Sequence, residues 1–196
     1  MGKSPTNKSP KTKGKTQTMG VRDPEGKTPQ GKCWYMKSYG NPCDKTLLIW
    51  KQRDLPEPKR GEMLVKIKAA ALNPVDFKIA TGHVLYAGAP WVPGIDFSGQ
   101  IVDCNCCPNF VEGDEVYGMA PHFRLTNLLN MNQNLGGSLS QYMLVRHDTV
   151  ALKPTSISHA EAACFPLVGQ TVQACEKISG IKAGHKVEEK MSISSY

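Results

Sequence analysis

The side chains best suited to nucleophilic, redox or metal chemistry in this chain are its thiols and imidazoles, and their spacing points away from all three uses. Seven cysteines stand at positions 33, 43, 104, 106, 107, 164 and 175. An odd number at irregular intervals fits reduced thiols of an intracellular protein better than a disulfide scaffold. Cys104, Cys106 and Cys107 form a C-x-C-C cluster that is too compact for four tetrahedral ligands, and no fourth cysteine lies close by in sequence. The cluster reads as thiols in a surface turn, with metal or redox sensing as the alternative. His83, His122, His147, His159 and His185 fall into no triad or ligand pair and read as ordinary surface residues.

Charge is concentrated at one end. Residues 1–32 hold seven Lys and one Arg against Asp23 and Glu25, so +6 of the net charge of +7 lies in this stretch and the rest of the 196-residue chain is nearly neutral. With Met19 and Val21 almost alone as apolar side chains, this segment cannot offset its chain entropy by burial and is expected to be a disordered basic tail. Three readings of the tail stay open. It is a solvated extension, a polybasic segment that holds anionic surfaces such as nucleic acid or acidic lipid, or an N-myristoylated anchor. The last rests on Met1-Gly2 with Thr6, the nearby lysines supplying the second membrane signal that one acyl chain needs. The tail is Lys-rich and has no amphipathic face, which argues against a mitochondrial presequence. No apolar run reaches the roughly 18 residues of a spanning helix, and the expectation is a soluble, cytoplasmic chain with no transmembrane segment.

The elements that would position any chemistry are short and β-prone. Cys33–Tyr39 and Thr46–Trp50 flank the turn-like Tyr39-Gly40-Asn41-Pro42. Glu62–Leu72 alternates, with Val65, Ile67 and Ala69 on one face and Lys66 and Lys68 on the other, the period of a half-buried strand. Ile95–Ile101, Glu115–Gly118 and Ser140–Val145 add further runs. Many short strands bounded by Gly and Pro predict a mainly β barrel or sandwich over 33–157. The pattern changes at Ser158, whose spacing to Glu161 is that of a capping box. The helix opened there cannot pass Pro166 undisturbed. Beyond it Leu167, Val168, Thr171, Val172, Cys175 and Ile178 recur at helical spacing up to a stop at Gly180. Residues 158–187 therefore read as a helical bridge leading onward, and 188–196 as an atypical tail.

Five blocks of these residues resemble one family in its own order. Gly61–Asp76, with Asn73-Pro74-Val75-Asp76 at its end, is similar to the GEVLVKVKAAGLNPVD segment of quinone oxidoreductases and enoyl reductases. Val92–Gly99 resembles their VPGxDxxG turn, Gly113–Gly118 their GDxVxG strand, Gly137–Tyr142 their GxxAEY segment, and Ala162–Thr171 the start of the helix entering their nucleotide domain. The resemblance is to the zinc-independent medium-chain dehydrogenases/reductases, which include zeta-crystallin, and covers their N-terminal half. It implies a GroES-like barrel with a C-terminal bridging helix and with the Rossmann domain missing.

What the resemblance implies for chemistry follows from the same positions. Zinc-dependent alcohol dehydrogenases place a Cys ligand near Pro74-Val75 and a Gly-His-Glu where this chain has Gly94-Ile95-Asp96, so no metal is expected. The implied reaction is hydride delivery from NADPH to a quinone, enone or enoyl thioester, with the protein positioning the ring and stabilising the enolate. Asn73 aligns with an Asn beside the nicotinamide, or is simply the favoured turn residue before Pro74. Lys78 is a candidate donor to a substrate carbonyl or cofactor phosphate, or a solvated surface lysine. Thr171 aligns with a cofactor-touching hydroxyl, or bonds its own helix. Tyr86 and Tyr142 are candidate proton donors whose expected role is core or rim packing. No catalytic residue is assigned. The expectation is of a truncated chain, inactive alone, that binds NADPH weakly or not at all and exposes an apolar helix face to self-association or to a full-length relative. The alternative is a non-catalytic binding module acting through the basic tail and the exposed helix.

Overall fold

The computed structural model describes residues 30–44, 48–55, 57–83, 91–120, 136–182, 184 and 186. Tyr86, His122, His185 and residues 1–29 and 187–196 lie outside the described residues.

The alternating sequence runs fold as strands, and every pairing between them is antiparallel. β1 (Gln30–Met36) and β2 (Leu48–Asp54) form a two-stranded sheet. β3 (Glu62–Ala71), β4 (Asp96–Cys104), β5 (Glu115–Met119), β6 (Tyr142–Arg146) and β7 (Val150–Leu152) form a second sheet in the order β6-β3-β4-β5-β7. The hairpin is stitched to the segments flanking that sheet through isolated bridges, Cys33 to Ser140 and Met36 to Trp91. This is the mainly β arrangement expected from the sequence, with β1 beginning at Gln30, three residues inside the stretch read as tail.

Alternation holds where one face of a strand meets solvent and fails where both are covered. In β3, Lys66 and Lys68 are exposed while Ile67 and Ala69 are half-buried. Met63, Leu64 and Val65 are all buried, because Met63 and Val65 enter the main core while Leu64 turns to a second cluster with Leu55 and Leu144. The main core gathers Met63, Val65, Phe97, Ile101, Val116, Met143 and Val145. Burying a side chain such as Phe97, which is 0% exposed, contributes about 1.5–3 kcal/mol. Gly99 lets β3 and β4 approach closely, since a Cβ there would lie 2.4 Å from the Lys66 carbonyl oxygen.

Among the described residues three α-helices complete the fold. α1 (Pro74–Ala80) is an addition to the sequence reading: Asn73 does not sit in a simple turn but is the N-cap, with Pro74 at the first helical position, where its missing N–H costs nothing. α2 (His159–Ala163) opens on the capping box, the Glu161 N–H donating to Ser158 Oγ at 3.2 Å and the Ser158 N–H to the Glu161 carboxylate at 2.8 Å. α3 (Pro166–Ser179) follows at once and ends at Gly180, whose φ of 64° supplies the left-handed stop.

Candidate functional site

The N-terminal ends of α1 and α3 converge on one carboxylate. Asp96, the first residue of β4, is 0% exposed. It follows the turn at Gly94, where a φ of +94° and a Ser138 Oγ only 2.3 Å from a would-be Cβ require glycine. Asn73 Nδ2 donates to Asp96 Oδ2 at 3.0 Å, and the Leu167 N–H of α3 donates to Oδ1 and Oδ2 at 3.1 and 3.2 Å. The Asn73 N–H in turn donates to Asp76 Oδ2 at 2.7 Å. A carboxylate can only accept, so the amide of Asn73 must present its nitrogen to Asp96.

Burial pushes the Asp96 carboxyl above the ordinary carboxylate range; the bonds from Asn73 and Leu167 pull it back, and the nearby Asp76 charge raises it again. Asp76 is raised for the same first reason, offset by the Asn73 backbone bond. Below this polar node lies an apolar cluster of Ile79, Ile95 and Met119, against which Val75, Trp91 and Leu167 pack. Next to the node's residues in sequence, Leu72, Phe77, Phe165 and Val168 are exposed, at 53–70% of their surface. The arrangement is an amide oriented by a buried carboxylate at the starts of two helices, with Phe77 and Val168 of those helices exposed.

The candidates read from the sequence separate here. Asn73 is half-buried and held in place. Lys78 lies on the same helix and is exposed. Thr171 is exposed on α3, its hydroxyl donating to the Leu167 carbonyl at 2.9 Å. Tyr142 packs at the rim of the cluster of Leu55, Leu64 and Leu144. Asp96, the residue that joins α1 to α3, carried no role in the sequence reading. Its signals were the acidic position of the VPGxDxxG block and a place between the apolar Ile95 and Phe97.

Two sequence expectations are corrected. His159 is no ordinary surface residue. Its Nδ1 lies 2.8 Å from Ser98 Oγ and its Nε2 3.2 Å from Glu115 Oε1, so it clamps the start of α2 to β4 and β5. Ser98, His159 and Glu115 thus stand in a row of nucleophile, base and acid, yet Ser98 is 0% exposed and its hydroxyl donates to the Val116 carbonyl at 3.0 Å. No substrate reaches it, and the row is a structural clamp. Lys153 adds to it, donating to Glu115 at 3.1 Å and to the Ile157 carbonyl at 2.8 Å. These bonds, Lys153 first and His159 second, hold the Glu115 carboxyl below the ordinary range.

The C-x-C-C cluster is also not a loose surface turn. Cys104 and Cys107 pack against the main core, and only Cys106, at a φ of 53°, is exposed. Burial, with the Cys104 charge next, pushes the Cys107 thiol up to about 11, and the thiol donates to the Glu62 carbonyl at 3.2 Å. All seven cysteines are free. Among the described residues no group of three or more His, Cys, Asp or Glu side chains is placed to hold a metal, and no helix is long and apolar enough to cross a membrane.

Comparisons with known proteins identify the kind of domain. The sequence profile of the alcohol dehydrogenase GroES-like domain matches residues 59–155. The chain is 35% identical over 159 residues to a 2-methylene-furan-3-one reductase of Solanum lycopersicum, covering 80% of this chain and 39% of that protein. It is 35% identical over 143 residues to a chloroplastic NADPH-dependent alkenal/one oxidoreductase of Arabidopsis thaliana, covering 71% of this chain and 35% of that one. Among solved structures, the quinone oxidoreductase from Coxiella burnetii superposes with a TM-score of 0.68 at 26% identity, over 80% of this chain and 47% of that one. The chain spans less than half the length of each of these proteins.

Proposed function

The chain belongs to the medium-chain dehydrogenase/reductase family through its GroES-like domain, and from that premise we propose that it serves the NADPH-dependent reduction of a quinone or an enone by hydride transfer. The observation that carries this reading is the amide of Asn73, fixed by the buried Asp96 at 3.0 Å. The names of two relatives, a furanone reductase and an alkenal/one oxidoreductase, support the substrate class.

In this reading residues 33–157 are the substrate-side domain and 158–187 the bridge. Bound NADPH supplies the hydride. Asn73 orients a flat ring through an amide that cannot rotate freely, so alignment is set before the substrate arrives. Lys78 is the donor to a substrate carbonyl or a cofactor phosphate. Thr171, bonded to Leu167, keeps its hydroxyl oxygen available as an acceptor. Val75 and Ile95 bring no metal-ligating atom to the positions where zinc-dependent relatives carry Cys and His, so the reduction runs without zinc. No Gly-rich turn of a parallel βαβ unit occurs among the described residues to hold a pyrophosphate. These residues by themselves are expected to bind NADPH weakly.

The test is a chimera in which this domain replaces the GroES-like domain of the tomato reductase. Retained NADPH oxidation with enones or quinones, lost at least tenfold in kcat in Asn73→Ala, is the expected result. A folded chimera inert towards every enone and quinone tried would overturn the reading. A second reading, a binding module without catalysis, draws on one observation: Val168, Val172 and Ile178 on α3 are 53%, 60% and 87% exposed. Its occupant would be a full-length relative or another copy of the chain, with residues 1–32 available to an anionic surface. The compartment in the main reading is the cytoplasm. Since several relatives carry chloroplastic or mitochondrial names, cell fractionation decides it.

A further inference from the structure

We propose that Asp96 is a positioning residue that makes the orientation of the Asn73 amide and the seating of α3 a single event. The inference rests on the reductase reading for its consequence in catalysis, but its structural content does not depend on NADPH.

Three facts converge on it. Asp96 is 0% exposed, and its partners among the hydrogen bonds found are Asn73 Nδ2 and the Leu167 N–H. Those donors come from two different helices, 23 and 71 residues away in sequence. Beyond this point α3 has little hold on the barrel: Pro166 is its one buried residue and every residue from Val168 to Gly180 is exposed. The carboxylate therefore ties down the helix where it leaves the domain. An anion at the first turn of a helix is favoured by the unsatisfied N–H groups there. If α3 swings away, Asp96 loses the Leu167 N–H that helps fix its plane, and the carboxylate that orients the Asn73 amide is then free to turn. Motion of the bridging helix thereby reaches the group proposed to orient the ring, with no other element moving.

The titratable group facing Asp96 is Asp76 of α1, whose charge acts on it; its other neighbours in the node are the Asn73 amide and the backbone of Leu167, neither of which titrates. Burial raises the carboxyl of Asp96, so its protonation falls at a pH where most carboxylates are already ionised. In wild-type chain labelled with nitrogen-15, the Asn73 side-chain amide and the Leu167 backbone amide are expected to titrate with one shared midpoint above the ordinary Asp range. The midpoint should persist in Asp76→Asn, shifted downwards because one negative neighbour is gone. In Asp96→Asn, Leu167 amide exchange should rise at least tenfold, while the Val145 amide of β6 is unchanged. In Asn73→Ala, Leu167 exchange should rise several-fold.

Separate midpoints for the two amides, or Leu167 exchange unmoved by Asp96→Asn in a folded chain, would overturn the proposal. The wild-type titration alone decides it should Asp96→Asn fail to fold. Coupled amides with an inert chimera would defeat the reductase reading and leave this inference standing. Uncoupled amides with an active chimera would do the reverse.

Discussion

α2 and α3 are neighbours in sequence, separated by Cys164 and Phe165, yet they are attached to the domain by different physics. α2 lies on β3, β4 and β5, with Ala162 and Ala163 at 0% and 1% exposure. It is further held by its capping box and by the His159 clamp to Ser98 and Glu115. α3 is twice as long and more, but it is exposed from Val168 to Gly180 and is held near its start, where Leu167 packs on Ile79, Ile95 and Met119 and its N–H bonds Asp96. Helix length and apolar content therefore do not decide which helix is integral to a domain. The integral one is the helix whose small residues let it approach the sheet closely.

Charge placed in each helix exposes the contrast most sharply. Ala162→Asp puts an unpaired carboxylate where there is neither room nor a partner, and is expected to lower stability by about 3–5 kcal/mol. A thermal melt within 1 °C of wild type would show that α2 is not seated as described. Smaller is Ser158→Ala, which strips the N-cap acceptor from the Glu161 N–H and should cost about 1 kcal/mol by denaturant unfolding.

The clamp on α2 also carries a pH signature. Because the folded Glu115 carboxyl lies below its ordinary value, the Lys153 and His159 contacts contribute stability that is present above that ordinary value and is lost as pH falls through the folded one. Amide exchange in α2 should accelerate across that acid window, and Glu115→Gln should flatten the dependence. The opposite slope, with exchange slowing as pH falls, would contradict the assigned contacts. Smallest of all in stability is Val172→Glu on α3, within about 0.5 kcal/mol of wild type. Its effect should instead be on association: sedimentation of the wild type is expected to show self-association that Val172→Glu reduces. Equal sedimentation of the two would leave the exposed face without a role in assembly.

Much of the architecture was legible in local pattern. Alternation in Glu62–Leu72 gave β3 to within one residue, since a strand with one wet face must place Lys66 and Lys68 outward. Ser158 with Glu161 gave the start of α2, and Gly180 the stop of α3, because both depend only on the orphan groups of a helix end. α1 was not legible. Its seven residues are too short for a periodic signal, and Asn73-Pro74 favours a turn and a helix start alike. The cysteine cluster was misjudged because exposure of a thiol is set by what packs over it, and spacing is silent on that.

The sequence by itself determined the extent of β3, the start of α2, the glycine stop of α3 and the family, all of which rest on side-chain period, caps or ordered motifs. Only the tertiary structure decided that Asp96 would meet Asn73 and Leu167, and that His159 would meet Ser98 across 61 positions. Those meetings follow from β4 lying between β3 and β5 in the sheet order, with α1 and α3 both starting at the same end of β4. The physical reason is that a backbone's local conformation depends on residues within a few positions, whereas the partners of a buried carboxylate are whichever donors the packed fold brings within hydrogen-bond reach.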